Sequence, residues 1–149
     1  MSKLLAECSL LKKRGFMNSK GRREIVKKGN KIKEILDSGI KSILITGEAD
    51  CGKSLLCGYL ENSLKSEPAV FKLGETKGNR KYKLKDISTL PYNIVLIDDA
   101  DRLHTESIVN NLLSLDTNKK KIVMFSRDSE NTKEIMNNVD EILVFSEIV

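Results

Sequence analysis

The sequence predicts an α/β fold in which helices cover both faces of a parallel β-sheet. Two observations predict it. Short apolar runs with strand character alternate with segments of helical periodicity. These runs lie at residues 41–46, 69–73, 93–98, 121–126 and 141–146. In addition, a glycine-containing segment lies directly between the first run and a helical segment. Parallel sheets built in this way bind ligands at the carboxyl ends of their strands.

Helices are predicted from apolar faces that repeat along the chain. Residues 22–38 carry isoleucine, valine and leucine close to a helical stripe, and Gly39 is suited to end that helix. Residues 54–65 repeat leucine at helical spacing. With 149 residues the chain is long enough for one domain with a real core. We therefore expect a single domain at 22–149, preceded by a basic N-terminal arm at 1–21.

The second half of the chain predicts two more helices. Residues 105–115 form the first, with Thr105 in the N-cap position, and residues 129–138 form the second, with Asp128 as its cap. The polar stretch 74–90 is predicted to be a loop with a short helix near Asp86–Leu90.

The most informative segment matches the phosphate-binding pattern G-x-x-x-x-G-K-[ST]. Glycines allow a sharp turn that brings backbone N–H groups close to phosphate oxygens, and the following helix N-terminus favours negative charge. Lys53 can reach the outer phosphates, and the Ser54 hydroxyl can hold Mg²⁺. The predicted nucleotide-binding residues are Gly47, Glu48, Ala49, Asp50, Cys51, Gly52, Lys53, Ser54 and Leu55. The predicted cofactors are ATP and Mg²⁺.

Two acids follow the strand at 93–98. At the carboxyl edge of a parallel sheet, Asp98 is placed to hold Mg²⁺, directly or through water, opposite Ser54. Asp99 is the better candidate for polarising a water that attacks the terminal phosphate. The alternative is that both acids only begin a turn and cap the next helix. Ser126 ends the next strand and is a candidate to hydrogen-bond the attacking water or the terminal phosphate.

Together these strand ends resemble the additional-strand ATPase branch of the P-loop NTPases, and most closely its AAA+ members. The resemblance rests on residues 47–54, on Ile94–Asp99 and on Ser126. It implies a three-layer P-loop NTPase fold whose five-stranded parallel sheet has the order 5-1-4-3-2. It also implies catalytic roles for Lys53, Asp99 and Ser126. The run 96–103 is similar to segments of clamp-loader subunits and of replication ATPases of the DnaA and DnaC type.

The sequence also departs from the AAA+ pattern. Asp99 stands where many members have glutamate. The sequence ends at Val149, directly after the last predicted strand, so we expect the helical lid domain and its arginine to be missing. The last predicted helix offers Lys133 but no arginine, and Arg127 lies at its start. The resemblance therefore implies weak intrinsic hydrolysis and an arginine finger supplied by a protein partner or a homo-oligomer.

The charge of the chain is unevenly distributed. The net charge is +5, but residues 1–41 carry twelve lysines and arginines against four acids. A second basic cluster lies at residues 72–85. Such clusters are suited to a nucleic-acid backbone, so Lys and Arg of residues 12–33 and 72–85 are candidates to bind DNA. Solvated surface charge is the alternative, and the sequence favours neither.

Cysteine use and hydropathy indicate the compartment. Three cysteines and one histidine supply neither a disulfide framework nor a zinc pattern. No apolar run approaches the length of a membrane span, and the N-terminal leucines precede the basic residues, which is the wrong order for a secretory signal. We therefore expect a cytoplasmic protein that does not contact a membrane.

The leading hypothesis is a Mg²⁺-dependent ATPase that serves as an accessory factor in DNA replication or mobile-element DNA transactions. Two alternatives stay open. One is a non-hydrolysing nucleotide-binding module that acts through a protein partner. The other is a small P-loop kinase, although the stretch 74–85 offers only Arg80 as a lid arginine. A GTPase is less favoured because residues 118–121 lack the aspartate that would select guanine.

Overall fold

A computed structural model describes residues 19–48, 51–72, 82–127 and 132–148. Within these ranges a five-stranded parallel sheet carries helices on both faces. In chain order the elements are α1 (Ser19–Asp37), β1 (Ser42–Thr46), α2 (Lys53–Ser63), β2 (Ala69–Lys72), β3 (Ile94–Asp98), α3 (Thr105–Leu113), α4 (Leu115–Asn118), β4 (Lys121–Ser126), α5 (Thr132–Met136) and β5 (Glu141–Val144).

The strands are ordered β2-β3-β4-β1-β5, and every pair is parallel. This is the predicted order 5-1-4-3-2 counted from the other edge, so the fold class is confirmed. Thr46 at the end of β1 lies in register with Ser126 of β4 and with Val144 of β5. Because parallel strands end at the same edge, the segments that follow β1, β3, β4 and β5 meet there.

Each central strand contributes to two cores. In β1, Ile43 and Ile45 face α1 and α2, whereas Leu44 faces the side covered by α3 and α5. All five residues of β1 are buried, as expected for a parallel strand with helices on both sides. The sheet is therefore held rigidly from both faces, which fixes the positions of the residues at its carboxyl edge.

Several element bounds differ from those predicted. Helix α1 begins at Ser19, so the last three residues of the predicted arm are helical; the rest of the arm lies outside the described residues. Helix α5 ends at Met136, two residues earlier than predicted. Strand β5 ends at Val144 and not at 146, because the chain turns into a 3₁₀ helix, Phe145–Glu147, that buries the ring of Phe145.

The predicted third helix is interrupted. Helix α3 ends at Leu113, and Ser114 separates it from the short helix α4. The N-cap is His104 and not Thr105, which is the first helical residue. The prediction that Gly39 ends the first helix is confirmed, because Gly39 has φ +102° and donates its N–H to the carbonyl oxygen of Leu36. The predicted cap Asp128 lies outside the described residues.

A short 3₁₀ helix, Ile87–Thr89, confirms the short helix predicted near Asp86–Leu90, and the carboxylate of its N-cap Asp86 accepts the N–H of Ser88. Two buried side chains of α3 fix the stretch that leads to it. Ser107 Oγ accepts the N–H of Leu84 at 3.0 Å, and Asn111 Oδ1 accepts the N–H of Ile87 at 2.9 Å. Among the helices of the described ranges, none combines the length and hydropathy that crossing a bilayer requires.

Candidate functional site

The turn between β1 and α2 is built around two glycines. Gly52 is the N-cap of α2 and has φ +119°, a conformation that residues with a Cβ rarely adopt. A Cβ at Gly52 would also lie 3.0 Å from Cζ of Phe145. At Gly47 a Cβ would lie 2.9 Å from Sγ of Cys51 and 3.2 Å from Cβ of Phe145. The glycines are therefore required by backbone conformation at Gly52 and by space at both positions.

The Lys53 side chain folds back over this turn. Its Nζ donates hydrogen bonds to the carbonyl oxygens of Gly47 at 2.7 Å and Glu48 at 2.6 Å, and lies 3.7 Å from Sγ of Cys51. The ammonium group is thus held at the mouth of the turn. Ala49 and Asp50 lie outside the described residues, and Leu55 is half-buried on α2.

Ser54 and Asp98 meet across the sheet edge. Ser54 lies exposed in the first turn of α2, Asp98 is the buried last residue of β3, and the Ser54 hydroxyl lies near enough to the Asp98 carboxylate to influence its pKa. Burial raises the pKa of Asp98, and the charge of Asp99 raises it further. The nearby Ser54 hydroxyl, the charge of Lys72 and the backbone N–H of Asp99 oppose this rise in pKa. The ionised carboxylate is therefore costly in this position, and a bound cation would favour it.

Asp99 occupies a left-handed turn with φ +59° and is half-buried. Burial raises its pKa most, and the charge of Asp101 raises it further. The charges of Arg102, Arg127 and Lys53 oppose this rise in pKa. The backbone N–H of Arg102 donates to the carbonyl oxygen of Asp99 at 2.9 Å and closes the turn. The structure thus brings Asp99 close to the phosphate-loop lysine and to two arginines.

Ser126 ends β4 and is almost fully buried. Its Oγ donates a hydrogen bond of 2.9 Å to the carbonyl oxygen of Arg127. The hydroxyl therefore supports the turn after β4, and donation to a water or a phosphate would require this hydrogen bond to be exchanged.

Lys28 of α1 is a residue of this region that sequence reasoning missed. It is only 7% exposed. Its Nζ donates to the carbonyl oxygens of Phe145 and Ile148, both at 2.8 Å, and lies 5.0 Å from the centre of the Phe145 ring. Lys28 therefore holds the 3₁₀ turn after β5, and Phe145 of that turn packs against Gly47 and Gly52.

The burial of Lys28 corrects one part of the predicted basic surface, because an ammonium group held by two buried carbonyls cannot contact DNA. The helical spacing contains the signal, since Lys28 lies between Ile25 and Ile32 on the apolar side of α1. The basic side chains of α1 that are exposed are Lys20, Arg22, Arg23, Lys27 and Lys31. From the second cluster, residues 73–81 lie outside the described ranges, and Lys83 and Lys85 are exposed.

A cavity of about 620 Å³ opens beside the glycine turn, at the carboxyl ends of β1, β4 and β5. Its size is within the range of small-molecule sites. It is lined by Thr46, Gly47, Glu48, Cys51, Arg127, Val144, Phe145 and Ser146.

The donor set near Ser54 suits magnesium. Mg²⁺ prefers one or two protein oxygens together with water and phosphate oxygens. The Ser54 hydroxyl and the Asp98 carboxylate are neighbours and supply such oxygens. Among the described residues no group of three or more His, Cys, Asp or Glu side chains forms a complete metal cage. The site therefore fits a cation that is also held by a bound phosphate.

Three solved structures resemble the chain. RuvB of Thermotoga maritima, a Holliday junction branch migration motor, is 17% identical; the match covers 87% of this chain and 45% of RuvB, with a TM-score of 0.54. A variant of the same protein is 15% identical with the same coverages and a TM-score of 0.50. A DNA polymerase III gamma subunit-related protein of Thermotoga maritima is 16% identical over 78% of this chain and 45% of its own, with a TM-score of 0.48.

The similarity to the two RuvB structures shows the fold. The chain has the three-layer α/β fold of the P-loop NTPases, as its motifs predict, and it spans about 45% of the length of the RuvB structures. No protein-family model matches the sequence, and no curated protein matches it significantly.

Proposed function

We propose that the chain binds ATP with Mg²⁺ at the turn 47–54 and hydrolyses it, as an AAA+-like ATPase. The observation that carries the proposal is the proximity of the Ser54 hydroxyl to the Asp98 carboxylate at the edge of the sheet. It brings together the last residue of the phosphate-binding pattern and the acid that ends β3. A chance match to the pattern in an ordinary loop has no reason to place a buried carboxylate opposite that serine.

Binding would use the turn and the start of α2. Backbone N–H groups of a glycine turn and a helix N-terminus form an anion site. Lys53 would exchange the carbonyl oxygens of Gly47 and Glu48 for oxygens of the outer phosphates, since its Nζ already lies at the mouth of the turn. The adjacent cavity, which extends from the glycine turn to Thr46, Arg127 and Phe145, has room for part of a bound nucleotide.

Ser54 and Asp98 would hold the magnesium ion, and that ion, when bound, would neutralise charge on the two outer phosphates. The raised pKa of Asp98 supports this assignment. A buried carboxylate that is costly to ionise alone is stabilised in its ionised form by an adjacent cation.

For hydrolysis we assign Asp99 as the acceptor of a proton from the attacking water. The water oxygen forms a bond to the terminal phosphorus while the bond from that phosphorus to its bridging oxygen breaks. The electron pair of the broken bond leaves with ADP. Burial and the charge of Asp101 raise the pKa of Asp99, which suits a group that accepts a proton, and the charges of Arg102, Arg127 and Lys53 limit this rise and so favour its ionised form. Ser126 supports the neighbouring turn through Arg127.

We also propose that the ATPase acts in DNA transactions such as replication or the movement of mobile elements. The similar structure of RuvB belongs to a Holliday junction branch migration motor. Exposed lysines and arginines on α1, together with Lys83 and Lys85, supply a basic surface. Tyr82, next to these lysines, pairs its backbone with Arg102 and His104 at 2.9 and 2.7 Å. Movement of the turn at Asp99 would therefore reach the second basic cluster.

The test compares nucleotide binding with turnover. Lys53→Ala should abolish ATP binding measured by calorimetry with Mg²⁺, while the exposed Lys65→Ala, a matched loss of charge at the end of α2, should bind normally. Unchanged affinity in Lys53→Ala would refute the site. Asp99→Asn should keep binding and lose phosphate release, and retained turnover would remove Asp99 from its assigned role.

DNA is then added to the same turnover assay. We expect stimulation that falls steeply as salt rises, because phosphate contacts release counterions. Absent or salt-insensitive binding would remove DNA from the proposal. ATP binding without turnover, with and without DNA, would favour a nucleotide-binding module over an ATPase.

A further inference from the structure

Arg127 lies between the two halves of the candidate site, and its side chain lines the cavity beside the glycine turn. It directly follows β4, the strand that pairs with β1 on one side and β3 on the other. Its backbone therefore lies between the glycine turn after β1 and the acids at the end of β3. Its side chain is exposed and lines the cavity together with Gly47 and Cys51.

The electrostatic surroundings of Arg127 point in the same direction. Its charge acts on Asp99, on which the charge of Lys53 also acts. Within the described ranges, no ion pair of 4.0 Å or less holds the Arg127 guanidinium. The residue is anchored at its main chain, because Ser126 donates to the Arg127 carbonyl oxygen, while its side chain is exposed at the wall of the cavity.

We propose that Arg127 binds the terminal phosphate of the nucleotide from within the same chain, opposite Lys53. This inference rests on the proposed function and names the residue that distinguishes a triphosphate from a diphosphate. A planar guanidinium can donate two parallel hydrogen bonds to one phosphate. Such a cation also offsets the charge that develops during phosphoryl transfer.

Arg102 is the competing arginine, and the geometry disfavours it. It also acts on Asp99, but it belongs to the 3₁₀ turn after that residue and does not line the cavity. Its backbone N–H closes this turn by donating to the carbonyl oxygen of Asp99. Arg102 therefore fits a role in holding the acid in place, whereas Arg127 faces the space beside the glycine turn.

The experiment measures the affinities for the slowly hydrolysed analogue ATPγS and for ADP, by calorimetry with Mg²⁺. Arg127→Ala should weaken ATPγS binding roughly 10- to 100-fold and leave ADP binding unchanged, because only the terminal phosphate loses a charge-assisted contact. Arg127→Lys should recover part of the loss, since it keeps the charge but not the paired donors. Lys65→Ala removes an exposed cation outside both the nucleotide site and the proposed DNA surface, so it is the control and should change neither affinity.

The outcomes separate this inference from the proposed function. If Arg127→Ala keeps the preference of the unmodified chain for ATPγS, or weakens both ligands equally, Arg127 does not recognise the terminal phosphate. If the unmodified chain binds ATPγS and ADP equally, the inference fails while the nucleotide site stands. If the unmodified chain binds neither nucleotide, the proposed function itself is refuted. Circular dichroism of each variant confirms that the fold is retained.

Discussion

Replacing Lys28 by methionine tests the structural account most directly. Methionine keeps most of the apolar stem and the helical preference of the side chain but removes the ammonium group. The carbonyl oxygens of Phe145 and Ile148 then each lose a hydrogen bond of 2.8 Å. Phe145 O keeps a weak partner, since it also accepts the N–H of Ile148 at 3.4 Å.

The magnitude follows from these contacts. A buried acceptor left without its donor costs about 1–3 kcal/mol, and the loss is smaller where a second hydrogen bond remains. Removing the buried charge returns part of this cost, because the ammonium group no longer has to be desolvated. We therefore expect Lys28→Met to lower the free energy of unfolding by about 2–4 kcal/mol. For a chain of this size that is a fall in Tm of about 4–16 °C.

Lys33→Met is the matched control. Lys33 lies on the same helix and also approaches a ring, with Nζ 5.0 Å from the centre of Tyr59 and 3.5 Å from its hydroxyl oxygen. Among the residues that the structure describes, it donates to no buried carbonyl oxygen, and a cation over a partly exposed ring contributes about 0.5–1 kcal/mol. Urea denaturation followed by circular dichroism compares the two. Equal stabilities of the two variants would refute the role assigned to Lys28.

Two further predictions concern the site. Asp98 has a raised pKa, so its contribution to stability is present at low pH and is lost as the pH rises through its folded-state pKa. In EDTA, Asp98→Asn should therefore have a higher free energy of unfolding than the unmodified chain at pH 7, and this difference should shrink toward pH 4. With Mg²⁺ present, the same variant should lose roughly 10- to 100-fold in ATP affinity. If unfolding of both proteins depends equally on pH, the stability prediction is wrong. Gly52→Ala should cost about 1–3 kcal/mol through backbone strain and further free energy through its contact with Phe145. Gly39→Ala, at φ +102° with nothing within 4 Å of the added Cβ, measures the strain alone, and equal losses in unfolding experiments would show that the Phe145 contact costs nothing.

The residues of the glycine turn and the acids of β3 were predictable because local rules govern them. A strand, a glycine turn and a helix within about twenty residues fix where Lys53 and Ser54 lie, and an apolar strand that ends in two aspartates fixes Asp98. The strand order followed from the resemblance that these motifs carry. In each case the evidence lies within a short stretch of sequence, and the sheet only brings the stretches together.

The contacts of Lys28 could not be predicted in the same way. Its partners Phe145 and Ile148 lie 117 and 120 residues further along the chain. Composition favours a surface position for a lysine in a basic helix, and only the helical spacing from Ile25 indicates otherwise. The end of β5 was mispredicted for a related reason, because Phe145 continues the strand pattern in sequence but turns inward to fill the space above the two glycines.

These two failures have one physical origin, and it ties the fold to the site. The glycine pattern is usually explained by phosphate approach, but in this chain Gly47 and Gly52 also make room for Phe145. Phe145 is held there by Lys28, so α1 and the turn after β5 together define the shape of the phosphate-binding turn. We therefore expect Lys28→Met to weaken nucleotide binding as well as stability. Lys33→Met should leave nucleotide binding unchanged and lower stability by only about 0.5–1 kcal/mol, so a loss of affinity confined to Lys28→Met would identify the 3₁₀ turn at Phe145–Glu147 as a structural support of the nucleotide site.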